Sequence, residues 1–176
     1  VVTPEAKLLE IAQRLDLLLR DLESLAVRQS QTKDQTEELH VQAEKTGELR
    51  PQDRDSLKRV ELDQRQIGSR LIGSRPAGRG DDVTAHAREL LAQLESNQLH
   101  DSATRERLTR IATAIEALSH ETLPSLESTL GKVVKETLGG QSSPEVPRSF
   151  ADIVVRQNEV LSTLTELVRD LTQWRD

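Results

Sequence analysis

The chain of 176 residues contains no cysteine, no methionine and no tyrosine, and Phe150 and Trp174 are its only aromatic residues. Without cysteine there is no disulfide and no thiolate site, and nothing marks a redox compartment. With 35% hydrophobic and 1% aromatic residues, the chain lacks the bulky side chains from which a globule of this size builds a wide core. No apolar run approaches the roughly 20 residues needed to cross a bilayer; the Leu17-Leu18-Leu19 cluster is as long as any. No basic n-region followed by an apolar h-region opens the sequence, and no initiator methionine is present. We therefore expect a segment of a longer protein, and the compartment stays open.

What is present is leucine, 27 of them at regular spacing, beside 31% charged residues. That combination suits long helices that each bury one narrow stripe. Taking Leu8 as heptad position a, the a and d sites of the first helix are Leu8, Ile11, Leu15, Leu18, Leu22 and Leu25. The frame continues through the polar residues Gln29, Thr32 and Thr36 to Leu39 and Ala43. Thr3 before Pro4 predicts an N-cap with proline in the first turn, and Gly47 predicts the stop. A helix over 4–46 is roughly 60 Å long.

A second helix is expected from Arg50-Pro51, with Asp53 and Asp55 favourably placed for its dipole and a seam of Leu57, Val60, Gln64, Ile67 and Leu71. The short connection predicts an antiparallel hairpin over 1–72, in which opposed residue numbers sum to about 97 by symmetry around the turn. That register sets Leu39 near Leu57, Thr36 near Val60, Thr32 near Gln64, Gln29 near Gly68 and Leu25 near Leu71. The distal half of the first helix is thereby covered, and Leu8 to Leu22 are left bare. Burying one leucine is worth about 1.5–3 kcal/mol, so another helix must cover this stripe. The expected cover is the last helix together with the fourth. A stripe that stays uncovered would drive dimerisation, and Leu8–Leu22 is the first place to look.

Residues 73–82 (GSRPAGRGDD) read as a loop. A third helix follows over about 83–99, a turn spans Asn97 to Asp101, and Asp101 or Ser102 caps a fourth helical region reaching 138. In it the stripe Leu108, Ile111, Ile115, Leu118 changes phase near Thr122 before Leu123, Leu126, Leu130 and Val133. Pro124 lies beside that slip, which predicts a kink or a restart. Residues 139–148 read as a linker. A final helix over 149–176 is capped by Ser149 with Asp152 at N3. Its seam is Phe150, Ile153, Gln157, Val160, Leu164, Leu167, Leu171 and Trp174, with Gln157 as its single polar layer.

Each motif with a chemical precedent is incomplete. Glu37 and His40 form one Glu-x-x-His pair, whereas a di-iron bundle needs two such pairs and two further inward glutamates. The glycine-rich stretch 73–80 lacks the lysine, the hydroxyl residue and the preceding strand of a phosphate loop. Arg79-Gly80-Asp81 is an RGD tripeptide, best read as ordinary loop composition. Arg65, Arg70, Arg75 and Arg79 form a basic patch, but the net charge is −6 and stacking aromatics are lacking, which argues against nucleic acid. Nothing in the sequence calls for a catalytic residue, a cofactor or a metal. The polar seam residues admit a register-fixing role. The plainer reading, favoured here, is that Gln29, Thr32 and Thr36 face water where the hairpin widens.

The phrase Glu48-Leu49-Arg50-Pro51-Gln52-Asp53-Arg54-Asp55-Ser56-Leu57 resembles a recurrent "L-T-P-E-Q-R-x-x-L" helix start. It occurs in the helical Gln/Arg/Glu-rich regions of large membrane-anchored bacterial proteins. Arg28-Gln29, Thr36-Glu37-Glu38-Leu39 and Gln64-Arg65-Gln66 are similar to further phrases of that family. The resemblance spans 28–72 and departs from the pattern at Arg50, where threonine would cap the helix. It implies a helical region outside the membrane, with membrane contact only through segments beyond this one, and brings no catalytic residues with it.

The expected fold is all-α: an elongated helical bundle with a long antiparallel helical hairpin and coiled-coil-like packing, forming one domain. The expected role is a non-enzymatic spacer or scaffold that binds a protein partner, or itself, through helix packing. The alternative is an amphipathic module that opens onto lipid surfaces, although its wide apolar faces and interfacial aromatics are lacking.

Overall fold

The computed structural model describes residues 1–73, 81–140 and 144–175, with side chains as far as Gln173. Six helices form among the described residues: α1 (Pro4–Thr46), α2 (Pro51–Ile72), α3 (Val83–Ser96), α4 (Ser102–His120), α5 (Thr122–Leu138) and α6 (Val146–Arg175). The chain is an all-α bundle.

The helix ends follow local chemistry. Thr3 caps α1, its Oγ1 accepting from Ala6 N at 3.1 Å, and Pro4 occupies the first turn where its missing N–H costs nothing. Gly47 closes α1 at φ 70°, its N–H donating to Ala43 O at 2.9 Å. Space is open around a Cβ at Gly47, so only backbone strain opposes a side chain there. Gly47→Ala is expected to cost about 1 kcal/mol, read as a lower urea midpoint at constant m-value. At the start of α2, Arg50 replaces the usual hydroxyl cap. Its guanidinium donates to both oxygens of Asp53, at 2.9 and 3.3 Å, and its backbone N–H donates to Asp53 Oδ2 at 3.1 Å. That grip holds the Asp53 carboxyl below its ordinary pKa, with the Arg50 side chain as the main cause.

α3 stops at Ser96, three residues short of the end expected from the apolar pattern. The reason is a backbone clasp: Gln98 N donates to Glu95 O at 3.0 Å and Leu99 N to Leu94 O at 2.9 Å, with Gln98 left-handed at φ 52°. Leu99 is buried, so its apolar side chain belongs to this turn and not to a longer helix. Gln98→Gly should raise stability by up to about 1 kcal/mol, visible as a higher thermal midpoint. α4 and α5 are separate helices that restart at Glu121, as the phase slip near Pro124 predicts. Pro124 falls in the first turn of α5, where its missing donor is not needed. α6 begins at Val146 and not at Ser149, so the linker is shorter than read from its prolines. Pro147 is tolerated in the first turn, Val146 is buried, and Ser149 N already donates to Glu145 O at 2.9 Å. Asp152 pairs with Arg156 at 3.2 Å instead of completing a cap.

Cross-helix pairs show how the elements are arranged. Asp21–Arg70 and Arg28–Asp63 set α2 antiparallel to α1. Thr84 Oγ1 donates to Leu71 O at 2.9 Å, joining α3 to the end of α2, and Arg14–Glu89 lays α3 along the proximal part of α1. Arg110–Asp170, Thr122–Glu159 and Lys132–Glu145 run in opposite order along α4–α5 and α6, so these too are antiparallel. The result is four rods running up, down, up and down. α1 is the first, α2 followed by α3 the second, α4 followed by α5 the third, and α6 the fourth.

Among the described residues the α1 backbone runs beside α2, α3 and α6 but not α4 or α5, and α6 meets α2 only through a side chain reaching across, as over the diagonal of a square. This corrects one expectation and bears out another, that a further helix covers the stripe. The proximal stripe of α1 is covered by α6 and α3, not by the fourth helix. Ile11, Leu15, Leu18 and Leu22 are buried within the chain and Leu8 is partly buried, so they do not form the bare stripe that would drive self-association.

The two flanks of the α1 seam explain its choice of neighbours. One flank of the α1 seam carries Ala12, Leu19 and Ala26, small or apolar, and one flank of the α6 seam carries Val154, Leu161 and Val168; α1 and α6 form the most extensive interface among the described residues. On the other flank Arg14, Asp21 and Arg28 make ion pairs to α3 and α2 across a more polar boundary. Every seam residue predicted from Ile11 to Leu171 is buried. Trp174 lies outside the described side chains.

Candidate functional site

The most distinctive site in the molecule is inside it. Gln29 of α1, Gln64 of α2 and Gln157 of α6 are all completely buried and meet at one level of the core. Each occupies an a position of its own heptad frame, which aims all three amides at the bundle axis. Gln29 Nε2 donates to Gln64 Oε1 and Gln64 Nε2 donates to Gln29 Oε1, both at 2.9 Å, a closed reciprocal pair. Gln157 Nε2 reaches across the diagonal of the square to donate to the same Gln64 Oε1 at 3.3 Å. Gln64 is the hub, and Gln157 Oε1 is left without a donor.

Two sequence expectations change here. The reciprocal pair joins residues 29 and 64, so opposed numbers sum to 93 and not to about 97. The layer is Gln29–Gln64; Thr32 does not meet Gln64 and Gln29 does not sit over Gly68. Turn symmetry misleads because α1 overshoots α2 by about one turn, while Leu49 in the connection is buried and draws the loop back along the bundle. Nor do Gln29, Thr32 and Thr36 face water, since their exposures are 0%, 2% and 0%. The threonines satisfy themselves: Thr32 Oγ1 donates to Arg28 O at 2.8 Å and Thr36 Oγ1 to Thr32 O at 2.9 Å. With the hydroxyl bonded inside its own helix, such a side chain contributes only a methyl to the core.

α2 and α5 approach closely at Gly68, where an added Cβ would lie 3.0 Å from Glu127 Oε1. Burial raises the Glu127 pKa above its ordinary value, with Arg65 opposing more weakly. The folded state therefore binds this proton more tightly than the unfolded chain, and stability declines as pH rises from the unfolded pKa through the folded one. Glu127→Gln is expected to stabilise at pH 7, with the gain shrinking towards acid pH, as a pH series of urea midpoints would show.

The other singled-out residues lie on the surface. His40 pairs with Glu44 at 3.2 Å and Glu37 with Lys33 at 3.8 Å, so the Glu-x-x-His pair is split between two neighbours. Arg65 pairs with Glu61 at 2.6 Å and Arg70 with Asp21 at 3.5 Å, which neutralises the described part of the basic patch. Residues 74–80, which hold Arg75, Arg79-Gly80 and the glycine-rich stretch after Gly73, lie outside the described residues. Among the described residues no three His, Asp or Glu side chains are grouped to hold a metal ion, and no helix is long and apolar enough to cross a membrane.

No protein-family model, curated protein or solved structure matches this chain.

Open grooves mark the outside, two of them along α1. One, of about 810 Å³, runs between the distal parts of α1 and α2, lined by Asp34, Glu38, Val41 and Arg59 among others. A second, of about 570 Å³, lies between α1 and α3 over Leu18 and Leu90, with Leu17 exposed among its lining residues. Leu9, Val27, Leu62 and Val155 are also exposed, spread over α1, α2 and α6. Sequence periodicity missed the buried Leu19, Leu49 and Leu99. Leu19 flanks the heptad seam, and the other two belong to turns whose path no repeat encodes.

Proposed function

We propose that this bundle is a non-catalytic spacer and protein-interaction arm of a larger bacterial protein. The observation that carries the reading is the direction of the rods. With four alternating rods, the chain begins in α1 and ends in α6 at the same end, and the turns at Gly47–Arg50 and after Leu138 stand at the other. A rod of 43 residues is about 65 Å long, so such a segment projects its tip far from the point where the chain enters and leaves. The apolar seams are used up between the rods, which leaves the outer grooves and the tip for partners.

The test is made in the longer protein. Replacing the segment by an unrelated antiparallel bundle of equal length should keep a pure spacing role, and a bundle two heptads shorter should lose it. Full activity with the shortened bundle overturns the spacer reading. The alternative, a module that opens onto lipid, requires the apolar seams to leave the core. Flotation with anionic vesicles separates the two readings: the arm stays with the soluble fraction, whereas a lipid module rises with the vesicles.

A further inference from the structure

We infer that the Gln29–Gln64–Gln157 layer is the register lock of the bundle, selecting one axial alignment of α1 and α2 among those that their leucine rows would accept. A heptad row is periodic, so sliding one helix along another by about a turn again sets apolar against apolar. The symmetric alignment shows this. It would oppose Leu39 to Leu57, Thr36 to Val60 and Leu25 to Leu71, all of which are compatible with a buried seam.

The amides are what differ between the two alignments. In the observed one, Gln29 and Gln64 satisfy each other through two 2.9 Å bonds, and Gln64 also accepts from Gln157. One turn away, Gln29 would face Gly68, which offers no side chain, and Gln64 would face Thr32, whose hydroxyl is already committed to Arg28 O. Each slipped amide would then be buried without its partner, a penalty the leucines do not impose. The layer accepts weaker burial than leucine at three sites and obtains a single alignment in return. This is independent of any role as an arm, although alignment also sets how far the tip of α1 stands beyond α2.

The absence of cysteine makes the test clean, because two introduced thiols are the only ones in the chain. Spin labels at Leu9→Cys and Leu62→Cys, both on exposed positions of α1 and α2, report the axial offset through their distance distribution. With the three glutamines intact we expect one narrow distance. With Gln29→Leu, Gln64→Leu and Gln157→Leu combined, a second population should appear, longer by about 6 Å, one helical turn. Gln157→Leu alone should keep the single distance, because the reciprocal pair survives. The same positions changed to methionine, which adapts to irregular space, repeat the test should the leucine variant not fold. A single unshifted distance in the triple variant overturns the inference.

Discussion

Gln64→Ala should be among the most damaging single substitutions in this chain, lowering stability by about 3–5 kcal/mol. Gln64 accepts from both Gln29 and Gln157 and donates to Gln29, and all three side chains are fully buried. Truncation leaves a cavity and strips two buried amides of their partner at once. Gln64→Leu fills the cavity but still orphans the amides, so about 2 kcal/mol should remain. The contrast between the two separates the packing cost from the polar one. Urea unfolding measures both, provided that the m-value is unchanged. A loss below about 1 kcal/mol for Gln64→Ala would mean that water or neighbouring rotamers replace the hub.

Phe150→Ala should cost a similar amount, about 3–5 kcal/mol. Phe150 is completely buried near the start of α6 and is the only aromatic side chain among those described. It anchors the distal end of the fourth rod, just after the segment around Gly139–Gly140 that joins α5 to α6. Its removal should release that end first. Hydrogen exchange is expected to speed up in the first turns of α6 before the α1 amides near Leu18 and Leu22 respond. Phe150→Leu, a smaller loss of volume, should cost about 1 kcal/mol and leave the exchange pattern in place. Uniform acceleration along α6 in the alanine variant would contradict the anchoring role.

Much of the architecture was legible in the residues because helix boundaries and seams are local. Thr3-Pro4 and Gly47 mark the ends of α1, and the phase slip by Pro124 marks the restart between α4 and α5. Ser149 misled because a good cap residue within the first turn looks the same in sequence as one before it; Val146 and Pro147 had already begun the helix. The three glutamines could be placed on their seams one by one. That they meet in one layer could not, because periodic stripes have no unique partner position.

Composition and periodicity by themselves determined that this protein is a set of amphipathic helices with narrow apolar faces. Those properties depend on residues three or four apart, and the sequence states them directly. Only the tertiary structure decided that α3 continues α2, that α3 and not α4 joins α6 in closing the first half of α1, and that Gln29 pairs with Gln64. Leucine rows attract one another without regard to identity. The choice among partners rests on directional groups and on close approach: amides that must find one another, small residues such as Ala12 and Ala26, and turns that bury Leu49 and Leu99.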